Sequence, residues 1–153
     1  MDFDLDPPTG VGPLRLGMTQ AEAGTALESL RDLAKLSTSD KPGLHIFRPS
    51  DLMVRIECQD DRLIAIELGR PPSGLTDRVL FRGVDVFTPS AREVVRQLGE
   101  IVRIEPDPDD DASYLAPDLL LAFWRPFEGD DEPDDPQGYH FNSVLLAKPD
   151  YYD

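Results

Sequence analysis

The sequence contains a single cysteine, Cys58, among 153 residues, so no disulfide can form within the chain. It also lacks a run of about 20 apolar residues, the length that a transmembrane helix requires, and it shows no secretory signal. These absences favour a reducing compartment, and we expect a cytoplasmic protein. In such a setting Cys58 is expected to be a small, buried core residue.

Basic residues are scarce, because 15 lysines and arginines face 30 aspartates and glutamates, for a net charge of −15. Nucleic-acid backbones and anionic membranes would repel such a chain, so we expect neither as a partner. A basic protein is the favoured partner, although acidity that serves only solubility stays an alternative. The hydrophobic fraction of 40% is typical of one compact globular unit.

Signatures of catalysis are also missing. The two histidines, His45 and His140, have no zinc-like spacing, and neither a glycine-rich phosphate loop nor a Gly-x-Ser-x-Gly elbow occurs. With 30 acidic residues in the chain, no carboxylate pair stands out as an acid–base couple. We therefore expect neither an enzyme nor a cofactor, with an unrecognised active site as the less favoured alternative.

What the sequence does contain is an internal similarity. Residues 47–57 and 114–124, which lie 67 positions apart, both run from an aromatic residue through a proline-containing turn and an aspartate to an apolar stretch. Residues 63–71 and 141–149 match at a separation of 78, so the second copy holds about ten extra residues. The pattern predicts an internal duplication, with residues 1–76 and 77–153 as two repeats packed into one unit.

Each predicted repeat is a helix on an antiparallel sheet, which makes the fold class α+β. Thr19 and Glu22 have the spacing of a helix-capping box, and the pair Thr88 and Pro89 is expected to begin the second helix. Short strands are predicted at residues 14–18, 44–48, 52–58, 62–68, 84–86, 101–105, 112–115, 119–124 and 139–147, with a hairpin turn at residues 59–61.

Acidic side chains dominate residues 105–135, where twelve acids accompany one base, Arg125. Three interpretations stay open: a solvated loop, a divalent-metal site and a docking surface. The alternating carboxylates of Asp107, Asp109 and Asp111 suit calcium, but Pro108 and the missing glycine and glutamate argue against a calcium loop. We expect no metal site.

The docking interpretation combines acids with aromatic side chains that are expected on one outer face of the sheet. Exposed aromatic residues serve as interface anchors, whereas the competing interpretation is that the rest of the protein covers them. The predicted partner-binding residues are Trp124, Glu128, Asp130, Asp131, Glu132, Asp134, Asp135, Tyr139 and Phe141.

The opening of residues 10–23 and the twofold order of helix and strands resemble the tandem-repeat β-lactamase inhibitor proteins and the small outer-membrane lipoproteins of the barrel-assembly machinery. They also resemble small actinobacterial proteins, some of which look like immunity proteins of polymorphic toxins. Without disulfide pairs or an export signal, a secreted β-lactamase inhibitor is not expected. The resemblance implies binding of another protein through the sheet and loops.

From charge and resemblance together we expect an intracellular inhibitor, monomeric when free. It would be an immunity protein that neutralises a basic toxin domain, such as a nuclease, by steric occlusion and charge complementarity. The alternative is an accessory domain that binds a small ligand or a divalent metal.

Overall fold

The computed structural model describes residues 2–29, 44–47, 52–70, 78–129, 134 and 136–148. Within them the chain forms an α+β structure that consists mostly of strands. The strands are β1 (Asp2–Asp6), β2 (Gly10–Val11), β3 (Leu14–Arg15), β4 (Leu44–Phe47), β5 (Leu52–Gln59), β6 (Arg62–Gly69), β7 (Arg78–Phe81), β8 (Val84–Asp85), β9 (Glu105–Asp107), β10 (Asp110–Ala116), β11 (Leu121–Trp124) and β12 (Ser143–Ala147). The helices are α1 (Gln20–Glu28), α2 (Ala91–Gly99) and the single turn α3 (Pro136–Tyr139).

Helix α1 begins as the sequence predicts. The Thr19 hydroxyl accepts a hydrogen bond from the Glu22 amide at 3.1 Å, and the Glu22 carboxylate accepts one from the Thr19 amide at 3.0 Å. This capping box satisfies two amides that the first helical turn leaves without partners. Ala23, Ala26 and Leu27 form the buried stripe, and Leu30 and Ala34, which continue its spacing in the sequence, lie outside the described residues.

Helix α2 begins later than predicted, with Ser90 as its N-cap instead of Thr88. The Ser90 hydroxyl accepts a hydrogen bond from the Glu93 amide at 3.1 Å. Thr88 cannot take this place because the Asp85 carboxylate accepts hydrogen bonds from the amides of Phe87 and Thr88, both at 3.0 Å. A local turn of this kind competes with helix formation, so Thr88 stays in the connecting loop.

The amino-terminal segment differs most from the prediction, because it forms a strand where none is predicted. Phe3 and Leu5 alternate with aspartates, and both are buried. β1 pairs in parallel with β7 and antiparallel to β2, which gives a five-stranded sheet of order β3-β2-β1-β7-β8. The aspartates at every second position disguise a strand whose other face is apolar.

The larger sheet has seven strands in the order β4-β5-β6-β12-β11-β10-β9. Its predicted hairpin joins β5 to β6, with Asp60 and Asp61 both at positive φ, as a tight two-residue hairpin turn requires. β12 pairs antiparallel with β6 from Ser143↔Gly69 to Ala147↔Ala65. This ladder joins the strands of the first half of the chain to those of the second half.

One face of the seven-stranded sheet lies in the core, as predicted for β5. Leu52 and Val54 are buried with both helices in one apolar cluster, and Ile56 packs partly buried against it. Cys58 continues this stripe but is only half-buried, since it follows an irregularity in the β5–β6 register. Burial, followed by the nearby charge of Asp61, raises the pKa of its thiol, which keeps the group protonated at neutral pH.

Two other predicted strands are displaced. Val102 and Ile104 pack against the core from a loop, and β9 begins only at Glu105. The segment predicted as a strand from Tyr139 begins with the last residue of α3, and β12 starts at Ser143.

Two glycines offer a test of how backbone conformation contributes to stability. A methyl group at Gly24, inside α1, or at Gly83, in the β7–β8 turn, would meet no atom within 4 Å. Gly83 has a φ of +85°, whereas Gly24 is helical. We expect Gly24→Ala to raise the free energy of unfolding by about 0.5–1 kcal/mol, and Gly83→Ala to lower it by about 1–2 kcal/mol. Urea denaturation measures both, and equal effects of the two substitutions would contradict the assignment of these conformations.

Candidate functional site

The outward face of the seven-stranded sheet carries the candidate site. Strand pairing places one side chain from each of six neighbouring strands in a transverse line across this face, which we call the middle row. The middle row consists of Arg55, Glu67, Leu145, Ala122, Leu115 and Glu105. Because cross-strand partners share a face, these residues lie opposite the face that packs in the core.

A second line beside the middle row has large side chains at its ends and small ones between them. This anchor row runs from Met53 through Gly69 and Ser143 to Trp124. A methyl group at Gly69 would lie 2.9 Å from Met53 Cε, so the Met53 side chain lies over the glycine. Gly69 and Ser143 in the centre of the row are therefore buried, and an open groove of about 770 Å³ lies beside Trp124.

The groove is lined by apolar and polar groups from both halves of the chain. Its lining consists of Met53, Glu67, Gly69, Arg70, Asp107, Ser113, Tyr114, Ala122, Phe123, Trp124, Asn142, Ser143 and Leu145. Trp124 is 46% exposed, which makes it the most exposed large apolar residue of the described chain. A large apolar ring left in water beside a concavity is typical of a binding surface.

The charged groups of the groove are largely engaged with one another. Glu67 accepts hydrogen bonds from Arg55 Nε at 2.9 Å and Nη2 at 2.8 Å through one carboxylate oxygen. Arg70 donates from Nε to the Phe87 carbonyl at 3.2 Å, and burial lowers the pKa of its guanidinium, with Asp85 acting in the opposite direction. Each arginine at the groove thus has a nearby carboxylate.

The three predicted aromatic residues occupy different environments. Trp124 is on the outward face, as expected, and Tyr139 is half-buried against His140, with ring centroids 5.0 Å apart. Phe141 is completely buried, with its ring centroid 5.4 Å from that of Phe123 and 6.1 Å from that of Tyr114. The expectation that Phe141 is a surface contact is therefore wrong, because this ring fills the core beneath β10 and β11.

The predicted acidic residues are described only in part. Glu128 and Asp134 are exposed, whereas Asp130, Asp131, Glu132 and Asp135 lie outside the described residues. In the β9–β10 hairpin, Asp107 accepts a hydrogen bond from the Asp109 amide at 2.9 Å, so this carboxylate supports the turn. Among the residues that the structure describes, no three acidic, histidine or cysteine side chains are grouped as metal ligands.

Arg125, the one base of residues 105–135, is turned inward and is only 1% exposed. Its Nε donates to the Ala112 carbonyl at 2.7 Å, and its Nη1 donates to the Gly138 carbonyl at 2.9 Å. The guanidinium also lies 5.9 Å from the centroid of Phe141. Arg125 therefore ties β10 and α3 to the end of β11.

His140 connects the start of β12 to the loop before α2. Its Nδ1 lies 2.8 Å from the Pro89 carbonyl, so this nitrogen carries the proton and donates. Burial is the main cause that lowers the pKa of the imidazole, and Arg70 acts in the same direction. The group is therefore uncharged at neutral pH and supports the structure.

Met53, Gly69, Ser143 and Leu145 are site residues that the sequence reasoning missed. The sequence shows that β6 and β12, both largely apolar, each contain a small residue, Gly69 and Ser143. The sequence does not show that the two residues are neighbours, because only the β6–β12 register places Gly69 opposite Ser143.

The buried guanidinium gives a stability prediction. Arg125→Met preserves the apolar stem but removes the donors to the Ala112 and Gly138 carbonyls, of which the second still accepts from the Gly129 amide, so we expect a loss of about 1–3 kcal/mol in the free energy of unfolding. The control is Arg103→Met, which removes an exposed ion pair with Asp118 and should change stability by less than about 1 kcal/mol. Urea denaturation distinguishes the two variants, and similar small losses in both would refute a structural role for Arg125.

The imidazole gives a pH prediction. Because the folded-state pKa of His140 is lowered, the unfolded chain binds its proton first as pH falls below about 6.5. Stability contributed by the neutral group is thus present above that pH and is lost as pH falls toward the folded pKa. We expect His140→Gln to show a weaker loss of stability between pH 7.5 and 5. Titration by NMR would contradict this if His140 had a pKa of 6.5 or higher in the folded protein.

None of the helices in the described part of the chain has both the length and the apolar character needed to cross a membrane. Comparison of the chain with protein-family models, curated proteins and solved structures gives no match.

Proposed function

We propose that this chain is an intracellular immunity protein, which binds and inhibits a basic toxin domain such as a nuclease. The outward face of the seven-stranded sheet would dock on the partner and occlude its active site. No catalytic role is assigned to any residue, and the chain is proposed to be a monomer when free.

The observation that carries this proposal is Trp124, which stands half-exposed at the end of an open groove. Tryptophan is enriched among the residues that dominate binding energy, since it buries much area at little conformational cost. Leu145 and Met53 extend the apolar surface across the sheet. A partner that covers this face would exclude water from its apolar centre.

The charge distribution supports a basic partner. Several described acids of residues 105–135 adjoin this face, since Glu105 belongs to the middle row, Asp107 lines the groove, and Glu128 is exposed in the segment after β11. Their single basic neighbour in sequence, Arg125, is buried. Exposed acids of this kind raise the rate of encounter with a cationic protein and disfavour anionic partners.

We also propose that the chain is an internal duplication with its boundary at residues 76 and 77. The support is the strand register, in which Val54 pairs with Leu68 and Leu121 pairs with Leu146. Val54 and Leu121 are 67 positions apart, and Leu68 and Leu146 are 78 apart, which are the two separations found in the sequence comparison. The strand order of the large sheet is also consistent with two halves that meet at β6 and β12.

A small-ligand binding domain is the second candidate. The groove volume of about 770 Å³ lies within the range of small-molecule sites, roughly 300–1,000 Å³. Asn142 and Ser143 add polar groups to its lining. A partner protein and a small ligand would both occupy this groove. A competition experiment therefore separates the two candidates.

The test uses basic toxin domains encoded beside this gene, each assayed for complex formation and for loss of its toxic activity. Trp124→Ala should weaken the complex by at least about 2 kcal/mol, mainly through faster dissociation. The matched control is Ile101→Ala, which truncates another exposed apolar residue, 44% exposed, located after α2 and away from the outward face. Equal affinity of both variants would refute docking on this face.

The acidic residues 128–135 should act on association instead. Replacing them with asparagine and glutamine should slow association by about 10- to 1,000-fold at low salt and flatten its salt dependence, with little change in folding stability. Stopped-flow measurements over a range of salt concentrations provide the rates. An association rate that stays unchanged at every salt concentration would show that this segment is only a solvated connection.

A further inference from the structure

The anchor row has a shape that selects its occupant. Met53 and Trp124 stand three strand spacings apart, roughly 14 Å, with Gly69 and Ser143 between them. Met53, Leu145 and Trp124 contribute apolar side chains to the groove lining. A long, narrow side chain with an aliphatic stem fits such a groove better than a flat surface does.

The charge in the groove points to a cation at the end of that stem. Glu67 is held by Arg55, and Arg70 lies near Asp85, so these pairs contribute little net charge. Asp107 is different, because it lines the groove and its carboxylate forms no ion pair within the described part of the chain. Its one described hydrogen bond, from the Asp109 amide, uses a single carboxylate oxygen.

Trp124 adds a second attraction for a cation. The indole ring is the aromatic group that binds ammonium and guanidinium ions most strongly across its face. The ring is 46% exposed and lines the same groove as Asp107. Aliphatic walls, an available indole and an unpaired carboxylate together match the stem and head of a basic side chain.

We infer that the groove receives one lysine or arginine side chain of the partner, with its stem along Leu145 and Trp124 and its cation between Trp124 and Asp107. This inference rests on the proposed function, and it specifies the basic residue that the inhibitor would cover. A single inserted side chain of this kind would fix the register of the complex, whereas the surrounding acids act only at long range.

The test needs no partner, because the chain has one tryptophan and its fluorescence reports directly on the groove. The probes are acetyl-Gly-Arg-Gly-amide, its lysine equivalent and its norleucine equivalent, titrated into the full chain at low salt. We expect saturable binding of the basic peptides at about millimolar concentration, and binding of the norleucine peptide at least about fivefold weaker. NMR shifts should locate binding at residues 67–70, 122–124 and 143–145.

Three variants make the result specific. Asp107→Asn keeps the acceptor oxygen for the turn and should weaken the basic peptides about threefold or more, with no effect on norleucine. Glu100→Gln, an equal change of charge on the exposed end of α2, should leave all affinities unchanged. Ser143→Leu should fill the groove and abolish binding of every peptide, with the fold checked by NMR.

Equal binding of the arginine and norleucine peptides, or binding that ignores both Asp107→Asn and Ser143→Leu, would overturn the inference. Absence of peptide binding would overturn it as well. The proposed function would survive these outcomes if Trp124→Ala still released an identified toxin. If no basic toxin bound the chain but the peptides behaved as expected, the inference would stand and the proposed function would fall.

Discussion

The antiparallel ladder between β6 and β12 is the interaction on which the rest of the structure depends. It is the only pairing in the described chain by which the three strands β4–β6 and the four strands β9–β12 become one seven-stranded sheet. Its five residue pairs bury Ile66 and Leu68 opposite Leu146 and Val144. A slip of one residue would turn these side chains toward water, so the apolar core fixes the register.

The same ladder creates the candidate site on the opposite face. The register that buries Leu68 and Val144 necessarily places Gly69 beside Ser143 on the outward side. The groove is therefore a consequence of how the two halves join, and neither half contains it alone. Because the site is set by backbone hydrogen bonds of central strands, its floor is more rigid than a loop site would be.

Local signals in the sequence predict the local structure well. The spacing of Thr19 and Glu22 identifies the start of α1, and the two adjacent aspartates at residues 60 and 61 identify the hairpin turn. Prediction fails where a distant or competing contact decides the outcome. The Asp85 turn delays α2, β1 becomes a strand only by pairing with β7, and Phe141 enters the core because it packs beneath Tyr114 and Phe123. The groove depends on register, which sequence patterns alone do not fix.

Arg125 is the one basic residue of the acidic segment 105–135, and its side chain is buried. A buried guanidinium is costly unless its donors are satisfied, and the carbonyl oxygens of Ala112 and Gly138 accept two of the hydrogen bonds from Arg125. In the proposed complex, the exposed acids would provide long-range attraction, and the groove beside Trp124 would provide short-range selection. Salt screens the long-range attraction, but it screens the contacts in the groove much less because they are partly desolvated.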